Sequence, residues 1–378
     1  MMTSASASVP PERSRLVRWV LRSVIAIFLL AFVLALAGFS YESIERFDGA
    51  RRYPIEGRAI DIGGHRLNLN CSGQGSPTVV VDSGLGGYST DWRIVQADIS
   101  KMTRICSYDR AGYGWSDAGP FPRSSAQIAR ELHALLLKGG EKPPYLMVGH
   151  SLGGYNVRVY NGLFPGEVAG MVLVDAAQED LLSTMSPQIR KAQEMSTRSA
   201  QKKQWYAPLL MRFGITRLMA PSMFAQGGIP KDQIEESIYL DLQPKYGEAR
   251  AGEFAALPQS SNEVRASGKL GDMPLVVLTA GKFVIDDSHL PPGVTRKDLE
   301  EYHRQWVEDL QIREVHLSTR GKQIIVPDSG HQIPLERPDA IIRAIREVYA
   351  AINAGAAPAT HAVGHPSEAQ HSINHLAL

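Results

Sequence analysis

The run Tyr145-Leu146-Met147-Val148-Gly149-His150-Ser151-Leu152-Gly153-Gly154-Tyr155 decides how the rest of this chain is read. Tyr145 to Val148 is apolar and short, as a buried strand would be. Gly154 to Tyr160 reads as a helix. Between them stands Gly-x-Ser-x-Gly. Strand, Gly-x-Ser-x-Gly, then helix is the setting of a nucleophile elbow, a turn so tight that side chains at the flanking positions would strike the neighbouring strand or helix. Gly149 and Gly153 remove those side chains, and Ser151 is left at the top of the turn. The plain alternative is a glycine-rich strand-to-helix turn with an incidental serine.

On either side of the elbow, strand-like and helix-like runs alternate. Ala59 to Ile62, the Gly63-Gly64 pair and His65 to Asn70 read as a hairpin. Thr78 to Val81 is β-branched and apolar, the pattern of a strand buried on both faces. A helix is predicted from Ser89 or Thr90 to about Ile99, and a further strand ends at Tyr108. Ser124 to Lys138 is a predicted helix, with Ser124 and Gln127 as a capping box, Ile128, Leu132, Leu135 and Leu136 on one face, and Gly139-Gly140 as the stop. Met171 to Val174, Leu275 to Leu278 and Gln323 to Val326 are further strands. Leu299 to Leu310 and Pro338 to Ile352 are helices, the last with Ile341, Ile345, Val348 and Ile352 on one face. Such alternation implies a mostly parallel sheet covered by helices on both faces.

The rhythm breaks after Asp175. Residues 178–271 read as an inserted helical cap, amphipathic, with Pro208, Pro221, Pro230, Pro244 and Pro258 as breaks. The cap divides a core of residues 55–177 and 272–353. Trp205, Tyr206, Phe213 and Phe224 within it could form an apolar pocket or simply pack the cap onto the core. Residues 354–378 form a tail expected to be disordered; its His361, His365, His371 and His375 lack the scaffold and carboxylate partners of a metal site.

The N-terminus is a different material. Within residues 1–22, Met1 to Pro11 is rich in Ser, Ala and Pro and is expected to be disordered, and Arg13, Arg15, Arg18 and Arg22 follow it. Residues 23–41 carry no charge and are almost wholly apolar, close to the 20 or so residues a helix needs to cross a bilayer. Basic residues before the run place residues 1–22 in the cytoplasm and the remainder outside. The run is read as a transmembrane signal anchor, longer than the apolar core of a cleaved signal peptide; the alternative is cleavage near Ala35-Leu36-Ala37, which would leave a secreted protein. Tyr41 to Tyr53 reads as a polar connector. The 378 residues carry a net charge of +1, which gives no nucleic-acid surface. No metal-ligand spacing or dinucleotide fingerprint occurs, so neither a metal nor another cofactor is expected.

Ser151, Asp175 and His331 each fall just past a predicted strand end, where reactive groups of such sheets gather. A serine hydroxyl needs a base, usually histidine, oriented by a carboxylate. Among 11 histidines, His331 alone sits on a loop after the last strand and in the chain order Ser, acid, His. His150 adjoins the nucleophile and is expected to point away beneath the turn. His65, His133, His303 and His316 lie on elements without a strand-end position.

The chain resembles the α/β-hydrolases, in particular their capped lineage of serine esterases, carbon–carbon hydrolases and haloalkane dehalogenases. The resemblance covers about Ile55 to Ala351. It rests on the elbow and on Tyr108-Asp109-Arg110-Ala111-Gly112-Tyr113-Gly114-Trp115-Ser116-Asp117, which is similar to the family's D-x-x-G-x-G-x-S segment. Val79 to Leu85 resembles the oxyanion strand and loop, with Ser83 where a histidine usually stands. The resemblance implies an eight-stranded sheet and an oxyanion hole from the backbone N–H groups of Leu85 and Leu152. It also makes the strands holding Cys71 and Cys106 neighbours, so that a disulfide is expected, with two reduced core cysteines as the alternative. Most of the family carries the acid after the seventh strand, but no carboxylate follows Gly281 closely. Asp175 is therefore preferred, with Asp286 and Asp287 open as alternatives. Dehalogenases and epoxide hydrolases of the family use an aspartate at the elbow; a serine there implies acyl transfer. The expected activity is hydrolysis of a small apolar carboxylic ester. A carbon–carbon, lactone or thioester hydrolase on the same residues, and a ligand-binding member of the fold, are the alternatives.

Overall fold

Strands β1 (Arg58–Asp61), β2 (Arg66–Ser72), β3 (Thr78–Asp82), β4 (Ile105–Tyr108), β5 (Tyr145–His150), β6 (Val168–Val174), β7 (Leu275–Ala280) and β8 (Gly321–Val326) form one sheet in the order β1-β2-β4-β3-β5-β6-β7-β8. The structure is a computed structural model and describes residues 12–204, 206–226, 231–283, 285 and 290–356. The β1–β2 hairpin and the β2–β4 pairing are antiparallel, and every other pairing is parallel. Residues of β3, β4, β5 and β7 are buried throughout, in keeping with the apolar runs 79–81, 145–148 and 275–278.

Helices cover both faces. On one side, α3 (Ser125–Gly139) and α4 (Leu152–Leu163) pack Leu132, Leu135, Leu136, Val157 and Tyr160 against Met147, Met171 and Val277 of the sheet. On the other, α2 (Arg93–Ile99) and the C-terminal helix (Pro338–Ala356) bring Val95, Ile99, Ile341, Ile345 and Val348 against Val79, Val148 and Val172. Ser124 caps α3 by accepting from the Gln127 N–H, and Gly140, at φ 84°, ends it. Cys71 lies directly opposite Cys106 in the β2–β4 register, and a disulfide joins them.

Between β6 and β7 the described residues form seven α-helices and no strand of the sheet: α5 (Leu181–Thr184), α6 (Pro187–Gln204), α7 (Ala207–Arg212), α8 (Ile215–Gln226), α9 (Ile234–Asp241), α10 (Pro244–Ala255) and α11 (Leu257–Ala266), with a 3₁₀ turn at Lys231–Gln233. Pro208, Pro244 and Pro258 sit at first-turn positions, where a missing N–H costs nothing. Pro221 is no break: it lies inside α8, which continues past it. Trp205, Pro230 and the tail histidines lie outside the described residues.

The expected connector at 41–53 is instead the last three turns of one long helix, α1 (Glu12–Arg52). Glu42 with Arg46, and Asp48 with Arg52, are i, i+4 ion pairs that continue the helix beyond its apolar run. Its end is fixed from outside as well. Arg217 of α8 donates two hydrogen bonds, at 2.8 and 3.0 Å, to the Glu42 carboxylate, and Arg52 meets Glu235 of α9.

Candidate active site

Ser151 follows β5 and caps α4 with φ 51° and ψ −119°. A non-glycine residue in that region is strained, and it persists only where its surroundings hold it. Three backbone bonds do so: the Ser151 N–H donates to the Val174 carbonyl, and the Ser151 carbonyl accepts from Gly154 and Ala177. A Cβ on Gly149 would meet the Gly153 carbonyl carbon and oxygen, and one on Gly153 would strike the Asp82 carbonyl oxygen. The elbow therefore closes only with glycine at both positions.

Asp175 stands one residue past β6, also at positive φ, 41°, with its N–H bonded to the Leu278 carbonyl at 2.7 Å. Its Oδ1 accepts from the Ala280 N–H at 3.0 Å and from the Trp306 indole N–H at 2.8 Å. Its Oδ2 lies 2.6 Å from His331 Nδ1, and His331 Nε2 lies 2.9 Å from Ser151 Oγ. The Asp175 side chain is 4% exposed and that of His331 is 48% exposed. The carboxylate is thus sealed while the imidazole edge faces the opening. A carboxylate only accepts, so His331 carries its proton on Nδ1 and leaves Nε2 free to accept from the serine hydroxyl.

The sequence reading of His150 needs correction. Its ring does not turn away; its centre lies 4.9 Å from that of the His331 ring, the two planes tilted by 41°, and it donates from Nε2 to the His331 carbonyl at 2.8 Å. The elbow holds position 150 beside the loop carrying His331, and only the folded loop supplies that acceptor. Burial, and then the charge His331 can carry, push the His150 imidazole down to about 3. It stays neutral and braces the loop.

The loop after β3 is fixed by Ser83, whose hydroxyl donates to the Tyr88 carbonyl and accepts from the Trp92 indole N–H. Arg110 clamps the same loop from below, donating to Asp82, to the Ser83 carbonyl and to the Gly84 carbonyl. Its remaining N–H groups reach Glu253 of α10. Burial opposes the Arg110 charge, but Glu253 and Asp82 outweigh it and keep the guanidinium protonated. A Cβ on Gly84 would come within 3.0 Å of His150 Nδ1 and 3.1 Å of Ser151 Cβ, so backbone lies directly against Ser151. Among the described residues, the N–H groups of Leu85 and Leu152 have no protein acceptor. Leu152 opens α4, where N–H groups point at incoming negative charge.

Helix α10 also ties the insertion to the site: Tyr246 donates to the Gly86 carbonyl, and Lys245 to the carbonyls of Gly114 and Ser116. Phe224 packs with Ala220, Ile238 and Leu242 inside the insertion, and Phe213 sits against Gly38 of α1. Phe224 therefore serves packing inside the insertion, and Phe213 meets α1 through its backbone. Asp286 and Asp287 lie outside the described residues. Sequence reasoning missed Trp306. It falls where the predicted helix Leu299–Leu310 in fact divides into α12 (Arg296–Gln305) and a π-helical turn (Trp306–Leu310), and nothing local marks that turn.

A family profile described as alpha/beta hydrolase fold matches residues 77–209. The uncharacterized protein YqjL of Bacillus subtilis is 27% identical over 314 residues, which are 83% of this chain and 97% of YqjL. For two further curated relatives the chain spans only 42% and 50% of their length. Among solved structures, the epoxide hydrolase CorEH superposes with a TM-score of 0.57 at 16% identity, covering 78% of this chain and 98% of CorEH. A thermophilic esterase from Thermogutta terrifontis superposes with a TM-score of 0.51 at 22% identity, covering 76% and 94%.

Proposed function

Because this chain has the alpha/beta hydrolase fold, we propose that it is a membrane-anchored serine hydrolase that cleaves a small apolar carboxylic ester. The observation that carries the reading is the continuous line from Asp175 Oδ2 to His331 Nδ1 at 2.6 Å and from His331 Nε2 to Ser151 Oγ at 2.9 Å. Serine rather than aspartate at the elbow supports acyl transfer through a covalent ester.

In this mechanism Ser151 Oγ attacks the ester carbonyl while its proton passes to His331 Nε2. Asp175 stabilises the imidazolium that forms. The carbonyl oxygen becomes an oxyanion, met by the N–H groups of Leu85 and Leu152, each worth about 3 kcal/mol in the transition state. Collapse expels the alcohol, which takes the proton from His331. Water, deprotonated by the same Nε2, then attacks the acyl-serine; collapse releases the acid, and His331 returns the proton to Ser151 Oγ.

The anchor is α1. It includes a stretch of mean hydropathy 2.7 with no residue buried in the protein, and the arginines before it put the catalytic region outside the cytoplasm. The test uses the full chain in detergent micelles with p-nitrophenyl esters of graded acyl length. Ser151→Ala should lower kcat by more than about 10³-fold. Equal turnover by parent and variant would refute the nucleophile. Phosphonate labelling of Ser151 without turnover of any ester would redirect the assignment to a carbon–carbon, lactone or thioester substrate, or to ligand binding.

A further inference from the structure

The turn between α7 and α8 is seated at one level of α1. A Cβ on Gly38 would strike the Phe213 carbonyl, and a Cβ on Gly214 would meet the Tyr41 ring at 2.9 Å. The Arg212 guanidinium lies over the Phe39 ring, 5.6 Å from its centre. Three turn residues thus mark Gly38 to Tyr41, where the uncharged run 23–41 ends. At about 1.5 Å per residue that run is about 28 Å long, close to the hydrocarbon thickness of a bilayer. If α1 spans a bilayer with this run, the α7–α8 turn stands at the interface.

Those two helices turn an apolar face outward. Leu209, Ile215, Leu218, Met219 and Met223 are 43–71% exposed. On α8 they follow the spacing i, i+3, i+4, i+8, while Arg217 and Ala220 between them are buried. The helix is therefore amphipathic in both directions: its inner face is held on Glu42 and the insertion, and its outer face is unpartnered. Single exposed apolar residues are ordinary, but five on one short helical pair beside a membrane exit are a patch. The exposed Arg212 beside Phe39 has the chemistry of a side chain that keeps its stem on apolar surface and its charge among headgroups.

We propose that α7–α8 is a membrane-contact element: the outer interface of the bilayer around the exit of α1 covers Leu209, Ile215, Leu218, Met219 and Met223, and Arg212 lies among the headgroups. The proposal rests on α1 being the anchor. The buried Glu42–Arg217 pair makes α1 and α8 one rigid unit, so the insertion is held at the bilayer by two contacts rather than tethered by one.

The test places a single environment-sensitive fluorophore on Leu218→Cys in the full chain, the two native cysteines being disulfide-bonded. The chain is reconstituted into vesicles of phosphatidylcholine and phosphatidylglycerol. Ile94→Cys on α2, also well exposed, is the comparison site. The expected result is blue-shifted emission at position 218, quenched severalfold more by nitroxide-labelled lipid than at position 94, and protected from aqueous iodide. Iodide quenching at both positions would overturn the proposal while leaving the anchor intact. Protection at 218 from both quenchers would overturn it too, because a second copy of the chain then covers the face. Release of the chain from vesicles by alkaline carbonate would refute the anchor itself, and the contact with it.

Discussion

Trp306→Phe isolates one hydrogen bond at the site. The substitution keeps an aromatic ring in the π-helical turn and removes only the indole N–H that reaches Asp175 Oδ1 at 2.8 Å. The Asp175 side chain is 4% exposed, so water is poorly placed to substitute. Loss of one bond to a buried charged acceptor costs about 1.5–3 kcal/mol. The carboxylate keeps the Ala280 N–H and His331, so it is loosened rather than freed. Two consequences follow. Stability of the full chain in micelles, read by urea denaturation, should fall by about 1.5–3 kcal/mol. Orientation of His331 should degrade as well: a share of about 1.4 kcal/mol lowers kcat about tenfold, and KM should hardly move, since Trp306 makes no contact that would bind substrate in this mechanism. A variant with the parent's denaturation midpoint and kcat would refute the argument that the indole holds the acid. A variant with normal kcat and raised KM would place Trp306 at the substrate instead.

Arg110→Met leaves Asp82 and Glu253 buried without their cation and should cost about 3–5 kcal/mol, visible as a lowered urea midpoint; a parent-like midpoint would refute the reading of Arg110 as the clamp that holds this loop. Replacing Cys71 and Cys106 together by serine opens a crosslink between residues 35 apart and should lower stability by up to about 4 kcal/mol, measured by the same denaturation. His150 has its folded value lowered to about 3, so the unfolded chain binds its proton first as pH falls. Its contribution is intact above the ordinary 6.5 and is lost progressively below it, by about 2 kcal/mol at pH 5. His150→Gln should accordingly show a shallower fall in stability between pH 7 and pH 5 than the parent, and equal slopes would count against a neutral, buried His150.

Much of the fold was legible because its signals are local. The period of apolar residues distinguishes strand from helix, Gly149 and Gly153 announce a turn no other residue fits, and unbroken runs such as Thr78 to Val81 indicate burial on both faces. Strand ends, the elbow motif, chain order and the family resemblance together made Ser151, Asp175 and His331 the candidates, with Asp286 and Asp287 left open as the acid, because a parallel sheet delivers its carboxyl ends to one edge. Other features had no local signature. The partners of the Asp175 carboxylate come from Ala280 and Trp306, more than a hundred residues away, and only closure of the sheet and the π-helical turn brings them in. Arg110 reads as a loop residue in sequence; its meeting with Asp82 and Glu253 depends on how the insertion lies across β3 and β4. The stretch 41–53 is polar, and polarity alone reads as a connector. It is helical with Glu42–Arg46 and Asp48–Arg52 as i, i+4 pairs along it, and it is held in place by Arg217 on Glu42, a long-range ion pair that sequence spacing cannot encode. What the sequence by itself determined is therefore the order of elements and the chemistry available at their ends; what tertiary structure decided is which distant groups neutralise, orient and cover those ends, because those contacts exist only after the chain has closed on itself.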